Sequence, residues 1–367
     1  MKKNILFFVA AAGMLTLASC SQDTTEMADN GNVIKFRPFI NAMTRGDVIQ
    51  DYNFKLFKVS AFIEGHLSNY FTNWQVDKNG STWTSPHNQY WPPTGTLHFF
   101  AYYPTNIDNL SITPNEQTIK NFKVAEYERS QQDLIVACNS GTKATNEKTG
   151  ITLNFKHALT LVDIYARNTN TTDYQIEVIG AKLAGFKSKA DFTFPKSNAS
   201  GTIPLENWKN IREEGSFYTT SYYNSAKTLT SSSTSLVNSW LFMMPQQLTA
   251  WNKTTSKSGA YIGVLLRIIK NNPTNKLQIF PKTPGKFAYV AVPISEKLLP
   301  GKFYRYTLTF SPGHFGNIAP DQTNPYENNS IIDPNPGPGG EVIMGGPIKV
   351  TVSVDNWGAD TNINKNL

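Results

Sequence analysis

Few side chains in this 367-residue sequence could carry catalytic or metal chemistry. Its histidines are scattered, and no two stand at metal-ligand spacing with a nearby carboxylate; they are His66, His87, His98, His157 and His314. His157 lies between two apolar segments, which favours a structural histidine over a ligand. The sequence contains no glycine-rich phosphate loop and no nucleophile elbow. We therefore predict that the protein is not an enzyme and holds neither a metal ion nor a cofactor.

Cys20 is the residue with the clearest covalent chemistry. It ends the run Leu17-Ala18-Ser19-Cys20, which follows two lysines and a short apolar stretch. A charged start, a short apolar core and small residues before a cut are typical of a secretory signal peptide, and the core is too short to span a bilayer. Small residues ending in cysteine resemble the bacterial lipobox, where the signal is removed and lipid is attached to the cysteine. We expect a signal peptide at residues 1–19 and lipid on Cys20; the alternative is an ordinary cut near Ala18.

The composition favours a protein rich in β structure. Apolar residues make up 40% of the chain and aromatic residues 12%, whereas charged residues make up only 17%. Such a mixture favours strands and polar loops over exposed helices. The formal charge of +7 is spread along the chain without a basic run, so we expect no nucleic-acid partner. The remaining cysteine, Cys138, follows an apolar run and is interpreted as a small buried residue rather than a disulfide partner.

Short apolar or alternating segments separated by turn residues predict an all-β fold of sandwich type. In the first predicted strand, residues 33–40, Ile34 and Phe36 alternate with Lys35 and Arg37. Pro38 lacks an amide donor, which places this strand at a sheet edge. The other predicted strands are 54–62, 96–103, 118–124, 133–137, 151–155, 159–166, 174–179, 262–269, 277–280, 287–292, 303–310 and 348–354.

Composition changes along the chain predict two domains. The polar segment 139–150 separates an N-terminal domain (46–145) from a C-terminal domain (146–367), and residues 21–32 form a tether. Residues 311–347 are rich in glycine and proline, so we expect a linker or extended excursion that cannot join a packed core. This excursion separates the terminal strand from the rest of the chain.

Four aromatic residues, Trp74, Trp83, Tyr90 and Trp91, cluster in the N-terminal half. Exposed indole rings can stack on sugar rings, so Trp74, Trp83 and Trp91 form a candidate glycan platform. The alternative is that these rings pack into the core. A surface glycan-binding lipoprotein is therefore a second functional hypothesis.

Five segments in this order resemble the fimbrillin family, the type V pilins and their relatives. They are YWPPTG at 90–95 continuing into LHFFAYYP at 97–104, DLIVA at 133–137, LNFKHAL at 153–159, MPQQL at 244–248, and VTVSV followed by DNW at 350–357. The LNFKHAL segment is the most specific of them.

The resemblance implies two transthyretin-like Greek-key β-sandwich domains in a lipoprotein of the outer membrane, with Cys20 as its anchor. It also implies assembly by strand exchange, in which an arginine-specific protease cuts between Arg45 and Gly46 and releases residues 20–45. The displaced strand would carry Val33, Ile34, Phe36, Phe39 and Ile40. The candidate donor strand, 348–354, carries Ile348, Val350, Val352 and Val354; ordinary pairing within its own domain is the alternative.

The partners that follow from the resemblance are other fimbrial subunits, the outer membrane through the lipid, and a host or bacterial surface ligand. A stalk or tip subunit that supports adhesion is the primary hypothesis. An anchor subunit that keeps its lipid is a further alternative.

Overall fold

A computed structural model describes residues 32–40, 54–197, 201–219, 225–254, 258–325 and 329–357. Within these residues the chain is almost entirely β structure, and the prediction of an all-β fold is confirmed. The helices in the described part of the chain are a single α-helical turn, Lys143–Asn146, and short 3-10 turns at Glu128–Ser130, Leu205–Asn207 and Asn329–Ile331. The division into two Greek-key domains stays a prediction.

The strands of the first half of the chain are β1 (Phe36–Ile40), β2 (Leu56–Ile63), β3 (Asn69–Asn79), β4 (Thr82–Thr84), β5 (Leu97–Tyr103), β6 (Leu110–Ile112), β7 (Gln117–Lys123), β8 (Ile135–Gly141), β9 (Ile151–His157), β10 (Thr160–Asn168) and β11 (Tyr174–Thr193). The second half contains β12 (Trp208–Tyr218), β13 (Lys227–Thr228), β14 (Thr234–Ser235), β15 (Leu241–Met243), β16 (Gln246–Gln247), β17 (Tyr261–Asn271), β18 (Lys276–Phe280), β19 (Ala288–Pro293), β20 (Lys297–Leu298), β21 (Lys302–Phe310), β22 (Asn317–Ile318) and β23 (Lys349–Asn356).

Seven strands form the first sheet in the order β1-β9-β8-β5-β2-β3-β4. β1 is parallel to β9, whereas the other neighbours are antiparallel. Alternation decides which face is inside: in β9, Ile151, Leu153 and Phe155 are buried while the residues between them are half-buried. These side chains share a core with Phe57 and Phe99.

Two further sheets share a second core. The five-stranded sheet has the order β14-β10-β21-β23, with β15 also on β10. The nine-stranded sheet has the order β22-β19-β17-β11-β7-β6, with β12 and β13 on β11 and β18 on β17. Ile164 and Tyr306 from the former lie in one cluster with Ile176 and Val264 from the latter. The two sheets therefore bury apolar faces together, as in a sandwich.

Hydrogen bonding crosses the predicted domain boundary in both directions. β9 follows the boundary at 145/146, yet it pairs with β8 and β1 in the first sheet. β7 precedes the boundary, yet it pairs with β11 in the nine-stranded sheet. The two halves of the chain are thus interleaved at their junction, and the boundary itself stays a prediction.

The glycine- and proline-rich segment 311–347 differs from the expectation of a linker outside the core. Phe315 and Ile318 are buried in the second core, and β22 pairs with β19. Apolar residues between the turns supply enough buried surface to hold the segment against the nine-stranded sheet. The expectation that it cannot join a packed core is therefore wrong for its described residues.

An ion pair between a buried lysine and a partly exposed aspartate also ties this segment to the sheet. Lys182 of β11 is fully buried, and its Nζ lies 2.8 Å from Asp321 Oδ2 and 4.2 Å from the centre of the Tyr289 ring. The same ammonium donates to the carbonyls of Asp321 and Thr323. Burial lowers the pKa of Lys182, while Asp321 opposes that shift. A buried charge requires such partners, so the ion pair depends on this segment staying in place.

Candidate functional site

β1 lies at one edge of the first sheet and pairs with β9 alone among the described residues. Its register runs from Phe36 opposite Ile151 to Ile40 opposite Phe155. Ile151 N–H donates to Lys35 O at 2.8 Å. In a parallel strand, the backbone groups of successive residues point alternately to its two sides. Lys35 points its carbonyl toward β9, so the nitrogen of Pro38 points away from β9. The missing donor of Pro38 therefore leaves the ladder intact, and the structure places this strand at a sheet edge.

The inner face of β1 is part of the first core. Ile34, Phe36 and Ile40 are buried, whereas Phe39 on the opposite face is 43% exposed. The Phe36 ring centre lies 5.6 Å from that of Phe99 and 5.9 Å from that of Phe57. Such edge-to-face contacts stabilise beyond the burial of area alone. The strand therefore fills space in the core that no neighbouring strand fills.

The residues preceding β1 are tied to the segment before β5. Val33 forms an isolated bridge with Tyr90. Ile34 N–H donates to Gln89 O at 2.8 Å, and Trp91 N–H donates to Asn32 O at 2.9 Å. Removal of β1 would break this second set of backbone contacts as well as the ladder with β9.

The residues predicted for lipidation and cleavage, Cys20, Arg45 and Gly46, lie outside the described residues. β1 ends at Ile40, and the next described residue is Phe54. The predicted cut thus falls between two strands of the first sheet, β1 and β2.

The predicted donor strand, β23, is paired within its own chain. It runs antiparallel to β21, from Lys349 opposite Thr309 to Asn356 opposite Lys302. Ile348 is buried at its start and Val350 is half-buried, but Val352 is 38% exposed and Val354 is 48% exposed. The pairing corresponds to the alternative of a strand retained in its own domain, and donation to another subunit stays a prediction.

Trp357 anchors the end of β23 in a way that the sequence did not indicate. Its indole stacks on the His157 ring, with ring centres 3.8 Å apart and planes 8° apart, and also stacks on Phe242. The His157 Nδ1 lies 2.7 Å from Asp133 Oδ2, and both side chains are buried. His157 was predicted as structural, and it is the last residue of β9, which is the strand that pairs with β1. His157 therefore links two candidate assembly elements. It belongs to β9, the strand that pairs with β1, and its ring contacts Trp357, the residue that follows β23.

The three tryptophans of the proposed glycan platform do not share one environment. Trp91 is 3% exposed and packs edge-to-face on Phe99, so its ring is unavailable as a platform and follows the alternative of core packing. Trp74 and Trp83 are half-buried. Trp74 packs on Phe36 across the core, and its Nε1 donates to His87 O at 2.8 Å.

Trp74 and Trp83 line a groove of about 1010 Å³ together with β1. The groove lies between the two ends of the seven-stranded sheet, because Ile34–Pro38 form one wall and residues 81–85 around β4 form the other. Tyr90 and residues 148–150 complete the lining. The structure thus brings Trp74 and Trp83, two of the three predicted platform residues, next to β1, a proximity that the sequence did not indicate.

Comparison with known proteins gives the family. The sequence profile of the fimbrillin-like family matches residues 37–328, most of the chain. The chain belongs to the fimbrillin-like family. The match begins at the second residue of β1, so it includes all of that edge strand except Phe36. A comparison with curated protein sequences finds no match.

One solved structure shares the fold of this fimbrillin-like chain. A fimbrial protein from Bacteroides vulgatus ATCC 8482 is 16% identical, with a TM-score of 0.54 over 89% of this chain and 99% of that chain. A proposed cell adhesion protein from Bacteroides uniformis ATCC 8492 is 13% identical, covers 89% of this chain and 97% of its own, and has a TM-score of 0.46. At these identities the likeness to the first structure concerns the fold.

Among the described residues, no group of three His, Cys, Asp or Glu side chains could hold a metal ion. Burial raises the pKa of the Cys138 thiol to about 11, an effect that the nearby Lys156 only partly opposes, so the thiol is protonated at neutral pH. In the same residues, no helix is long and apolar enough to cross a membrane.

Proposed function

We propose that the protein is a stalk or tip subunit of a surface fimbria, assembled by replacement of β1. The observation that carries this proposal is that β1 is an edge strand whose inner side chains fill the first core. Cleavage between Arg45 and Gly46 would separate β1 covalently from β2, leaving only non-covalent contacts to hold it.

Loss of β1 would create an acceptor site with two kinds of unsatisfied group. The edge of β9 would expose backbone donors and acceptors, and Phe57 and Phe99 would lose the contacts that Phe36 makes with them. A strand from another subunit satisfies both, because its backbone pairs with β9 and its alternate side chains enter the core. Such assembly requires no cofactor.

β23 is the candidate donor because its apolar residues recur with period two. The alternation with polar residues involves Ile348, Val350, Val352 and Val354. In the strand that these residues would replace, the apolar residues Ile34, Phe36 and Ile40 are likewise separated by even numbers of positions. The exposure of Val352 and Val354 in the single chain supports this role, since these side chains gain buried surface only in another environment.

The N-terminal segment and the family support a location at the cell surface. Lipid on Cys20 would hold the precursor at the outer membrane until the segment 20–45 is removed. The partners would be copies of this chain or other fimbrial subunits, and the assembled fimbria would support adhesion to a host or bacterial surface ligand.

Proteolysis of the purified lipoprotein tests the proposal. We expect an arginine-specific protease to release the residues before Gly46 and to produce SDS-resistant ladders. Arg45→Ala should prevent both, and Arg45→Lys should resist this protease while remaining sensitive to trypsin. Ladders of equal yield from Arg45→Ala would exclude cleavage at Arg45 as the trigger.

N-terminal sequencing of protein extracted from the cell surface separates the remaining hypotheses. A mature chain that begins at Gly46 is the expected result for a stalk or tip subunit. A chain in isolated fimbriae that still carries Cys20 would contradict this assignment and indicate an anchor that keeps its lipid.

A further inference from the structure

The groove beside β1 has the shape of a binding site that spans two sheet edges. One wall is the outer edge of β1, and the other is β4 with the adjoining part of β3, including Trp74. Its volume of about 1010 Å³ is sufficient for several sugar rings. Both walls belong to a single sheet, so the groove separates the two edge strands of that sheet, β1 and β4. We call this gap the seam.

The lining combines aromatic rings, neutral polar groups and positive charge. Trp74 and Trp83 are half-buried, and Tyr90 is 45% exposed. Hydroxyl and amide side chains lie between them, from Asn32, Ser81, Thr82, Thr84, Ser85 and Asn88. The charged lining residues are all cationic, namely Lys35, Arg37 and Lys148, and no Asp or Glu is among the described residues that line the groove.

A protein strand fits this seam poorly. Added strands require a continuous row of backbone donors and acceptors, and the nitrogen of Pro38 is directed toward the seam without a proton to donate. Proline at an edge is a common means of preventing strand addition. The aromatic and hydroxyl lining favours a ligand with apolar ring faces and many hydroxyl groups instead, and the three cations favour a negative charge on it.

We propose that this groove binds a carboxylated oligosaccharide, such as a chain of uronic acids or a sialylated glycan. The sugar faces pack on Trp74, Trp83 and Tyr90, and the carboxylate lies near Lys148. The site exists before any strand exchange, since every residue used here is in place in the uncut chain.

Binding in this groove also has a consequence for assembly, and this part rests on the proposed function. The ligand contacts β1 on one wall and β4 on the other, so it binds only while β1 is in place. A ligand that binds one state and not the other stabilises that state by mass action. The oligosaccharide therefore retains β1 and delays strand replacement.

Calorimetric titration of the full, uncut chain tests the site. Trigalacturonic acid and sialyllactose are the carboxylated probes from two sources, and maltotriose is the neutral match. We expect binding of at least one carboxylated probe, weaker binding at higher ionic strength, and at least tenfold weaker binding of maltotriose.

Reversing a charge in the groove tests whether the probes bind there. Lys148→Glu should weaken binding about tenfold, whereas Lys209→Glu, at another exposed lysine that lies on β12, should leave it unchanged. Tyr90→Ala, at an exposed ring, should also weaken binding, and equal melting temperatures should establish that the variants are folded. Binding that is unaffected by Lys148→Glu, equal affinity for maltotriose, or no binding of any probe would overturn the proposal.

The effect of ligand binding on assembly is measured in a separate experiment. At a probe concentration ten times its Kd, release of β1 after cleavage should be about tenfold slower in the unmodified chain and unaffected in Lys148→Glu. A release rate that does not respond to a bound probe would overturn the coupling. If cleavage itself fails, the proposed function is wrong, while the titration still decides the binding site.

Discussion

β1 and β23 are both edge strands with apolar residues at every second position, but their side chains have opposite environments. The inner residues of β1 are buried, with Phe36 in contact with three aromatic rings. The corresponding face of β23 leaves Val352 38% and Val354 48% exposed. β1 completes a core, whereas β23 extends the edge of a sheet beyond its core.

The difference indicates how each strand can leave its position. Release of β1 exposes apolar surface at once, so it is unfavourable unless another strand replaces it. Release of β23 loses mainly backbone pairing at Val352 and Val354, whereas buried side chains lie at its two ends, Ile348 before the strand and Trp357 after it. The side-chain contribution of β1 is therefore distributed along the strand, whereas that of β23 is concentrated at its ends.

The largest expected effect is at Phe36. Phe36→Ala should lower the free energy of unfolding of the uncut chain by about 3 kcal/mol, because it leaves a cavity between Phe57, Phe99 and Trp74. Phe39→Ala, on the exposed face of the same strand, is the matched control and should change it by less than about 0.5 kcal/mol. Urea unfolding measures both; equal effects would show that β1 does not complete the core.

The second effect concerns the end of β23. Trp357→Ala should lower the free energy of unfolding by about 2 kcal/mol, less than a full core truncation because the strand end can open locally. Amide exchange in 350–355 should accelerate far more than in β21. Trp357→Phe retains an aromatic ring on His157 and should restore most of the protection. Unchanged exchange in Trp357→Ala would mean that the backbone bond from Trp357 N–H to Gly301 O suffices as the anchor.

The sequence predicted the elements better than their contacts. Periodicity located β1, β5, β9, β21 and β23, and Pro38 alone indicated which strand lies at an edge. Strands with weak alternation were missed, including β3 and β12, because polar residues occupy much of both faces.

The contacts between distant segments could not be predicted. Nothing in the spacing of His157 and Trp357 indicates that they stack, since their approach depends on how β9 and β23 meet across two sheets. Lys182 likewise gives no sign of being buried, because its partner Asp321 lies in a segment whose composition is typical of a linker. Local patterns determine faces and turns, whereas pairings across long sequence separations depend on packing.

The smallest effect on the single chain, and the most informative for assembly, is at the exposed valines of β23. The double variant Val352→Thr, Val354→Thr should change the free energy of unfolding by less than about 0.5 kcal/mol, because both side chains are already in contact with water. If β23 is the donor, the same hydroxyl groups enter the core of the next subunit without hydrogen-bond partners, at a cost of about 1–3 kcal/mol each.

Ladder formation after protease treatment measures this difference. We expect the double variant to fold normally and to form far fewer SDS-resistant species than the unmodified chain. Thr351→Ser, on the opposite face of β23, is the matched control and should leave the ladder intact. If the double variant assembles as well as the unmodified chain, the valines of β23 do not enter another subunit, and the exposure of this strand has a cause other than donation.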